Sequence, residues 1–443
     1  QTYLGGNIRE TKLTDEETYA QADLKLDADW GPFTSFETGL KLREHEFSNE
    51  QTDYALNDGL VGTFTKERFY DGKIDHTGAG LTSDSPTDLA RVDGKAYKNW
   101  LEANVGPANW SELSYAKVEE DIAAIYGQAN FEGDNFRGNV GLRYVETDVT
   151  GTNIDPLAYA AAVEAGDGSE ESVRQTSKVK GNYSDWLPSL NLAIDINENL
   201  IFRASAARVM SRPGYSSLYP SYSTFNTDTK QLARGSVELD PFRATQMDMG
   251  LEWYFNDDSL VSATIFTKDI ASFIGSKTES VELNGETYSL TIPDQGSGGS
   301  IEGIEVQYQQ NFGNFGVLAN YTYANGQGKD GDGNSVDLPG NSQNTYNLTG
   351  FYENDIIAAR LAYTYRSDYI APSTGIGGNV SYDEQAFLDG GITWHVNDNI
   401  DLSLEGTNLL EEETYQRFNG GFDSVRVATQ NGAHYYLKAS YRM

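Results

Sequence analysis

The chain has 443 residues and a formal net charge of −34, from 66 acidic and 32 basic residues. So acidic a chain repels nucleic acid and has no polybasic anchor for a membrane surface. Because it contains no cysteine, it can form no disulfide and no thiolate metal site, and it has no cysteine nucleophile.

Glycine and aromatic residues are abundant, with 45 Gly, 28 Tyr and 12% aromatic residues overall. The sequence has short segments in which apolar and polar residues alternate, separated by clusters of Asn, Asp and Gly, and this pattern is typical of β-sheets and barrels. No apolar run approaches the roughly 18 consecutive residues that a membrane-spanning helix needs. A transmembrane β-barrel is compatible with the negative mean hydropathy, because only one face of each barrel strand is apolar.

Apolar and polar residues alternate with a period of two in a series of segments along the chain. A lipid-facing strand has this pattern, and about ten residues let a tilted strand cross a bilayer. The last segment is the clearest, because Tyr435, Leu437 and Tyr441 share one face while Lys438 and Arg442 share the other. The segments are centred near Leu26, Leu40, Ile125, Leu142, Leu192, Ala204, Leu251, Ala263, Val306, Ala319, Leu348, Leu361, Ile392, Leu402 and Leu437.

Short turns of Asn, Asp and Gly alternate with long connections between these segments. The long connections are predicted at about 48–116, 151–177, 212–239, 274–298, 328–342, 367–383 and 409–431. Short turns on one rim and long loops on the other are typical of an outer-membrane barrel, with the turns periplasmic and the loops extracellular. A soluble β-sandwich would also alternate, but the connection lengths argue against it.

The sequence therefore predicts an all-β fold in which residues 1–443 form part of a transmembrane antiparallel β-barrel. The segments number about fifteen, whereas bacterial single-chain barrels have an even number of strands. If the last strand descends to the periplasm, the first also descends, which puts Gln1–Glu16 in an extracellular loop and predicts that further strands precede it. Residues 1–10 contain no signal peptide, so either it was removed or the N-terminus lies upstream.

Four stretches, in order and together, carry a family signature. They are Trp186–Leu192 (WLPSLNL) continuing to Val209–Pro213 (VMSRP), Leu239–Asp248 (LDPFRATQMD), Ile301–Glu305 (IEGIE), and Gly406–Leu410 (GTNLL) with the terminal Tyr435–Met443. The sequence resembles the TonB-dependent receptors, and within them the large proteobacterial group associated with carbohydrate uptake. It departs from the family at Met443, where an aromatic residue usually serves as the signal for membrane insertion.

The resemblance implies a barrel of 22 strands, of which these would be strands 8 to 22, with an N-terminal plug domain and a short box that engages TonB. Neither the plug domain nor the box is expected within residues 1–443. It also implies the outer membrane of a Gram-negative bacterium as the location. The implied partners are TonB, the plug and the early strands, outer-membrane lipid and a small solute. The implied activity is energy-coupled import without a chemical reaction.

Aromatic and polar residues in the predicted loops are candidates for contact with the solute, because rings stack on sugar faces while polar groups bind hydroxyls. The candidates are Trp100, Trp110, Arg212, Tyr215, Tyr219, Tyr222, Phe225, Arg417, Phe418 and Phe422. The alternative is that these rings belong to interfacial aromatic belts or to the cores of the loops.

Charged residues on the polar strand faces are expected to line the lumen. They are Lys25, Lys41, Arg43, Arg143, Arg203, Glu252, Glu305, Arg366, Asp389 and Glu405. Contact with the plug is one interpretation, and a hydrated barrel wall is the other.

The sequence contains no recognisable catalytic motif, so we expect no catalytic residues, no metal site, no cofactor and no enzyme activity. His45, His76, His395 and His434 lack metal-ligand spacing. The acidic run at 330–334 lacks the glycine and glutamate of an EF-hand at the required positions. The expected function is TonB-dependent import of an oligosaccharide. The alternatives are a ferric siderophore or other metal chelate as the solute, or a passive porin or surface adhesin.

Overall fold

The fold is seen in a computed structural model. It describes residues 7–56, 69–73, 90–105, 109–110, 115–154, 165, 175–226, 228–283, 285–329, 335–371, 379–419 and 424–442. The acidic run at 330–334 lies outside these residues.

The described residues form 27 strands and two helices. The strands are β1 (Asn7–Trp30), β2 (Phe33–Ala55), β3 (Tyr70–Lys73), β4 (Ala90–Val92), β5 (Asn109–Trp110), β6 (Ala116–Glu132), β7 (Phe136–Ile154), β8 (Thr176–Asn197), β9 (Leu200–Ser211), β10 (Tyr222–Asn226), β11 (Gln231–Arg234), β12 (Phe242–Asn256), β13 (Ser259–Ile270), β14 (Ile274–Leu283), β15 (Glu286–Gln295), β16 (Gly299–Phe312), β17 (Phe315–Lys329), β18 (Ser335–Asp337), β19 (Asn344–Glu353), β20 (Ile357–Arg366), β21 (Tyr369–Ile370), β22 (Asn379–Tyr382), β23 (Gln385–Asn397), β24 (Ile400–Thr407), β25 (Glu413–Asn419), β26 (Ser424–Gln430) and β27 (His434–Tyr441). The helices are α1 (Gly94–Asn104) and α2 (Tyr215–Leu218). Neither is long and apolar enough to cross a membrane.

One large antiparallel sheet dominates the structure. It contains 17 strands, and without the short additions β5 and β18 the remaining 15 form the barrel wall. In chain order these wall strands are β1, β2, β6, β7, β8, β9, β12, β13, β16, β17, β19, β20, β23, β24 and β27. Each predicted segment centre lies in its own wall strand, so the all-β class, the antiparallel wall and the strand count are confirmed.

Two-residue or three-residue turns join the wall strands in pairs at one rim. At Asn197, Asn354 and Asn397 the side-chain oxygen accepts a hydrogen bond from the backbone N–H two residues later, at 2.9 Å in each case. This local bond is what makes asparagine a turn former. At Gly31 the backbone has φ of 60°, a conformation that favours glycine in tight hairpins.

The outward face of the wall exposes a band of large apolar side chains. Leu26, Leu251 and Leu437 are 56%, 46% and 85% exposed, and their neighbours along each strand point the other way. An apolar surface of this extent is unfavourable in water but is what lipid requires. Aromatic rings gather where the band meets the turns, for example Trp30, Phe33 and Phe36, whose ring centroids are 5.7 to 6.5 Å apart, as at a membrane interface.

The first wall strands continue well beyond the apolar band. β1 starts at Asn7 rather than after residue 16, and β2 runs to Ala55 with the two strands paired throughout. Hydropathy alternates only where one face meets lipid, so the sequence pattern ends before the backbone pairing does. The connection predicted to start near residue 48 therefore starts inside β2.

The long connections form small sheets of their own. β10, β11, β15 and β14 make one sheet, in which β11 and β15 pair in parallel and so join two different connections. β21, β22, β25 and β26 make another, which also joins two connections. The loop rim therefore contains packed elements, as well as the helix α1.

We predict that Leu251→Arg lowers the free energy of unfolding in lipid vesicles by about 2–4 kcal/mol, because the charge would face the apolar band. Ser262→Arg is the control, since Ser262 pairs with Glu252 on the inward face. Urea titrations of both variants measure the effect. Equal destabilisation would contradict the assigned faces.

Candidate functional site

A segment between β9 and β12 folds against the inside of the wall. Residues 212–241, here called the inner segment, contain α2 and the strands β10 and β11. Leu218, Val237 and Leu239 are at most 4% exposed and form one cluster with buried residues of the wall. Those wall residues are Val118 on β6, Val149 on β7 and Tyr183 on β8. Along their strands these wall residues alternate with the exposed, outward-facing side chains, so they face the lumen. The inner segment that packs on them therefore lies on the luminal side.

Two glycines of the wall allow this close packing. A Cβ at Gly181 would lie 2.2 Å from the carbonyl oxygen of Val237, and one at Gly151 would lie 2.6 Å from Cγ1 of the same residue. Any larger residue would push the inner segment away from the wall. The two positions therefore accommodate the backbone around Val237.

A buried polar network ties α2 to β1, β2 and β6. The Tyr215 hydroxyl donates to Oε2 of Glu120 at 3.0 Å and also contacts Nδ1 of His45. On the other side of the imidazole, Nε2 of His45 lies 2.6 Å from Oδ1 of Asp15. Glu120 and His45 are 2% and 7% exposed. The network gives hydrogen-bond partners to the side chains of Glu120 and His45, whose burial without partners would be unfavourable.

The Tyr215 ring contributes in two further ways. It stacks on Phe47 with the centroids 4.7 Å apart and the planes 4° from parallel. Burial, with the negative charge of Glu120, raises the pKa of the Tyr215 hydroxyl. The phenol therefore stays protonated and remains a donor to Glu120.

Arginines anchor both ends of the inner segment. At the start, Nη2 of Arg212 donates to Oγ1 of Thr147 at 3.2 Å, and Nε lies 3.9 Å from Oε1 of Glu120. Just after the end, Arg243 binds the buried carboxylate of Asp185 through Nε at 2.6 Å and Nη2 at 3.2 Å. Two parallel hydrogen bonds of this kind fix direction as well as distance.

A basic pocket lies on the wall beside the inner segment. Its volume is about 180 Å³. It is lined by Lys41, Arg43, Arg143 and Arg212, and by the apolar side chains of Ile122, Ala124, Val145, Leu187 and Met210. Arg43 pairs with Glu17 at 2.7 Å, and the Lys41 ammonium lies 4.6 Å from the centre of the Tyr19 ring.

The predicted solute-contact residues fall into separate places. Arg212, Tyr215 and Tyr219 come together in the inner segment, where Tyr219 packs against the cluster of Leu218. Tyr222 packs beside Leu232 in a second cluster. As contacts with a solute, all of these stay predictions.

The remaining predicted residues lie in other connections. Trp100 on α1 is buried with Phe69 and Leu101. Arg417 on β25 pairs with Asp383 at 2.7 Å, and the Phe418 ring lies 5.9 Å from the Arg426 guanidinium. Phe422 and the side chains of Trp110 and Phe225 lie outside the described residues. They too stay predictions.

The sequence did not reveal His45, Glu120, Asp185 or Arg243 as members of this site. His45 and Glu120 are 75 residues apart (120 − 45) but sit opposite each other in the pairing of β2 with β6. The alternation of polar and apolar residues predicts that both side chains face inward. It does not predict the register between β2 and β6 that makes them partners. The sequence feature that came closest to identifying them was a charged residue at an inward-facing strand position, where burial is unusual for a charge.

We predict that Tyr215→Phe loosens the inner segment by about 1–3 kcal/mol, because buried Glu120 and His45 lose a hydrogen-bond partner. Hydrogen exchange of peptides covering α2 measures the loss of protection. Tyr219→Phe is the matched control, since the Tyr219 hydroxyl has no hydrogen-bond partner in the described chain. Unchanged exchange in Tyr215→Phe would show that the network does not hold the segment.

We predict that Arg243→Met lowers the free energy of unfolding by about 3–5 kcal/mol, because it leaves the Asp185 carboxylate buried and unpaired. Combining it with Asp185→Leu should recover most of the loss. Arg137→Met is the control and should change stability by less than about 1 kcal/mol, because the Arg137–Asp195 pair is 45% and 39% exposed. Urea unfolding in vesicles ranks the three variants, and equal losses in the two single variants would contradict the burial argument.

Comparison with known proteins agrees with the architecture. The family model described as TonB dependent receptor-like, beta-barrel matches residues 1–409. No curated protein sequence matches the chain.

Solved structures of receptors share the fold at low sequence identity. The ferric-catecholate import receptor Fiu from E. coli K12, in its closed form, has 16% identity and a TM-score of 0.62, with 97% of this chain and 55% of that chain covered. The siderophore receptor PiuA from Acinetobacter baumannii has 14% identity and a TM-score of 0.58, with 97% and 56% covered. The ferric yersiniabactin uptake receptor FyuA from Yersinia pestis has 11% identity and a TM-score of 0.59, with 98% and 55% covered.

This chain thus spans a little over half the length of these three receptors. At such identities the likeness concerns the fold, while the family match covers most of the sequence. Proteins with this barrel are receptors of the Gram-negative outer membrane. The chain belongs to the TonB-dependent receptor-like β-barrel family.

Proposed function

We propose that this barrel wall serves the energy-coupled import of a scarce solute across the outer membrane of a Gram-negative bacterium. TonB would provide the energy through a plug that fills the lumen. The family match over residues 1–409, on a wall of 15 strands, carries the proposal. A wall this wide encloses more space than its side chains can fill, so a gated receptor needs a plug.

The mouth of the barrel also supports a binding role. The inner segment is anchored by buried polar contacts at Arg212 and Tyr215 and by the Arg243–Asp185 pair just after its end. A segment held this firmly can present groups to a solute with little loss of conformational entropy on binding. The basic pocket lies directly beside it.

Two solute classes are candidates. A metal chelate is supported by the matched receptors, whose names refer to ferric catecholates and siderophores. An oligosaccharide is supported by partly exposed rings on the sheet of β21, β22, β25 and β26. There Tyr369 and Tyr382 stack at 4.9 Å, and Gln416 donates to the Tyr382 hydroxyl at 2.9 Å. Rings beside amide groups suit sugars.

The test is uptake by cells that carry the intact receptor, with and without TonB. The probes are a ⁵⁵Fe-labelled catecholate chelate and a labelled neutral oligosaccharide. We expect one of them to accumulate only in cells that contain TonB. The receptor alone should give no steady conductance in a planar bilayer.

A passive porin or an adhesin would behave differently. Accumulation that is equal in both strains, together with steady ion conductance, would identify a porin. Binding to cells or matrix without uptake of either probe would identify an adhesin. Either result would replace the import proposal.

A further inference from the structure

The basic pocket has an excess of positive charge inside a strongly acidic protein. Four cationic side chains converge on it from β2, β7 and the inner segment. Two carboxylates lie within 4 Å of these cations: Glu17 binds Arg43 at 2.7 Å, and Glu120 lies 3.9 Å from Arg212 and accepts from Tyr215. A third, Asp23, accepts from Tyr126, which stands opposite Arg143 in the strand pairing. The four cations still outnumber these three carboxylates. The local balance therefore favours an additional anion.

Of the four cations that line the pocket, Lys41 and Arg143 have no carboxylate oxygen within 4.0 Å among the described residues. Lys41 lies over the Tyr19 ring. Arg143 stands on β7 opposite Tyr126 of β6 in the strand pairing. In addition, the buried Nε of Arg43 has no hydrogen-bond partner among the described residues. An unsatisfied donor and two cations without a carboxylate partner, on one pocket wall, would be stabilised by a bound anion.

A hydrated luminal wall is the simpler account of isolated charges. Lys25 fits that account, because it is 61% exposed and 3.9 Å from Glu37. The pocket differs in its floor, where Ile122, Ala124 and Val145 are each at most 8% exposed. Charges beside buried apolar surface interact through less water, so both their mutual repulsion and their attraction for an anion are stronger.

The size and shape of the pocket define the ligand group. A volume of about 180 Å³ is below the roughly 300–1,000 Å³ of a site that encloses a whole small ligand. The pocket can therefore hold one arm of a larger solute. Guanidinium groups match the planar, two-oxygen geometry of a carboxylate, and the apolar floor suits a ring or chain that bears it.

We propose that the basic pocket is a subsite for an anionic, carboxylate-bearing arm of the imported solute, held by Arg143 and Lys41 with Arg43 and Arg212. The assignment rests on the proposed import function in one respect, namely that the solute enters the lumen. It adds that a neutral solute is not the preferred one.

The test uses the intact purified receptor and isophthalate, a flat ring with two carboxylates, as the probe. Its uncharged diamide has the same shape and is the control ligand. We expect saturable binding of isophthalate by calorimetry, weakening as salt is added, and no binding of the diamide. Arg143→Gln and Lys41→Gln should each weaken binding about ten- to a hundredfold, as expected for the loss of one charged hydrogen bond.

Lys25→Gln is the matched variant, since it removes one luminal cation outside the pocket, and it should bind like the wild type. Arg143→Lys keeps the charge and should restore part of the affinity. Heat-modified migration of each variant confirms that the barrel is folded. Wild-type affinity in both pocket variants, or equal binding of the diamide, would overturn the proposal.

Modification by phenylglyoxal, detected at Arg143 by mass spectrometry, distinguishes a carboxylate of the solute from a carboxylate of the receptor itself as the group that occupies the pocket. Protection of Arg143 by isophthalate supports the solute subsite. If wild-type receptor binds no isophthalate and Arg143 is already protected, an acidic side chain of the receptor occupies the pocket and the proposal fails. If Arg143 reacts freely and isophthalate does not bind, the pocket is a hydrated wall and the proposal also fails. None of these measurements requires TonB, so loss of TonB-dependent uptake would reject only the import function.

Discussion

Antiparallel backbone pairing is the constraint on which the rest of the structure depends. In lipid every N–H and C=O group must find a partner within the protein. The 15 wall strands provide those partners for one another, except along the outer edges of β1 and β27, which pair with no other strand among the described residues. The same pairing fixes which side chains face lipid and which face the lumen, because the strand period is two. A slip of one residue in β2 would place Leu40 and Leu42 in the lumen and Lys41 and Arg43 in the membrane.

The paired wall then creates a luminal surface that can hold charge. Glu120 and Asp185 are almost fully buried, yet each meets donors supplied by a different part of the chain. Tyr215 and Arg243, at the two ends of one connection, provide them. The charged groups thus serve to position the inner segment, while glycines 151 and 181 give its backbone room to approach. Burial of such groups adds little net stability even when they are paired, whereas removal of one partner is strongly destabilising.

The inner segment and the basic pocket meet at Arg212. This residue belongs to the polar anchor through Thr147 and Glu120 and also lines the pocket with Arg143 and Lys41. An anion in the pocket would therefore compete with Glu120 for the same guanidinium group. Arg212 is therefore the residue through which an anion in the pocket would affect the anchor of the inner segment.

By itself, the sequence determined the fold class, the 15 wall strands and their inward and outward faces, because lipid imposes a hydropathy pattern on every strand that crosses it. It also placed Lys41, Arg43 and Arg143 on the luminal face. The tertiary structure alone decided that β1 and β2 extend beyond the membrane, since no lipid marks that region. It likewise shows that Trp100 is buried beside Phe69 and Leu101, that Tyr219 packs against the cluster of Leu218 and the wall, and that His45, Glu120 and Tyr215 meet. The contacts among His45, Glu120 and Tyr215 join residues 75 to 170 positions apart, and only strand register and the packing of a long connection bring such residues together.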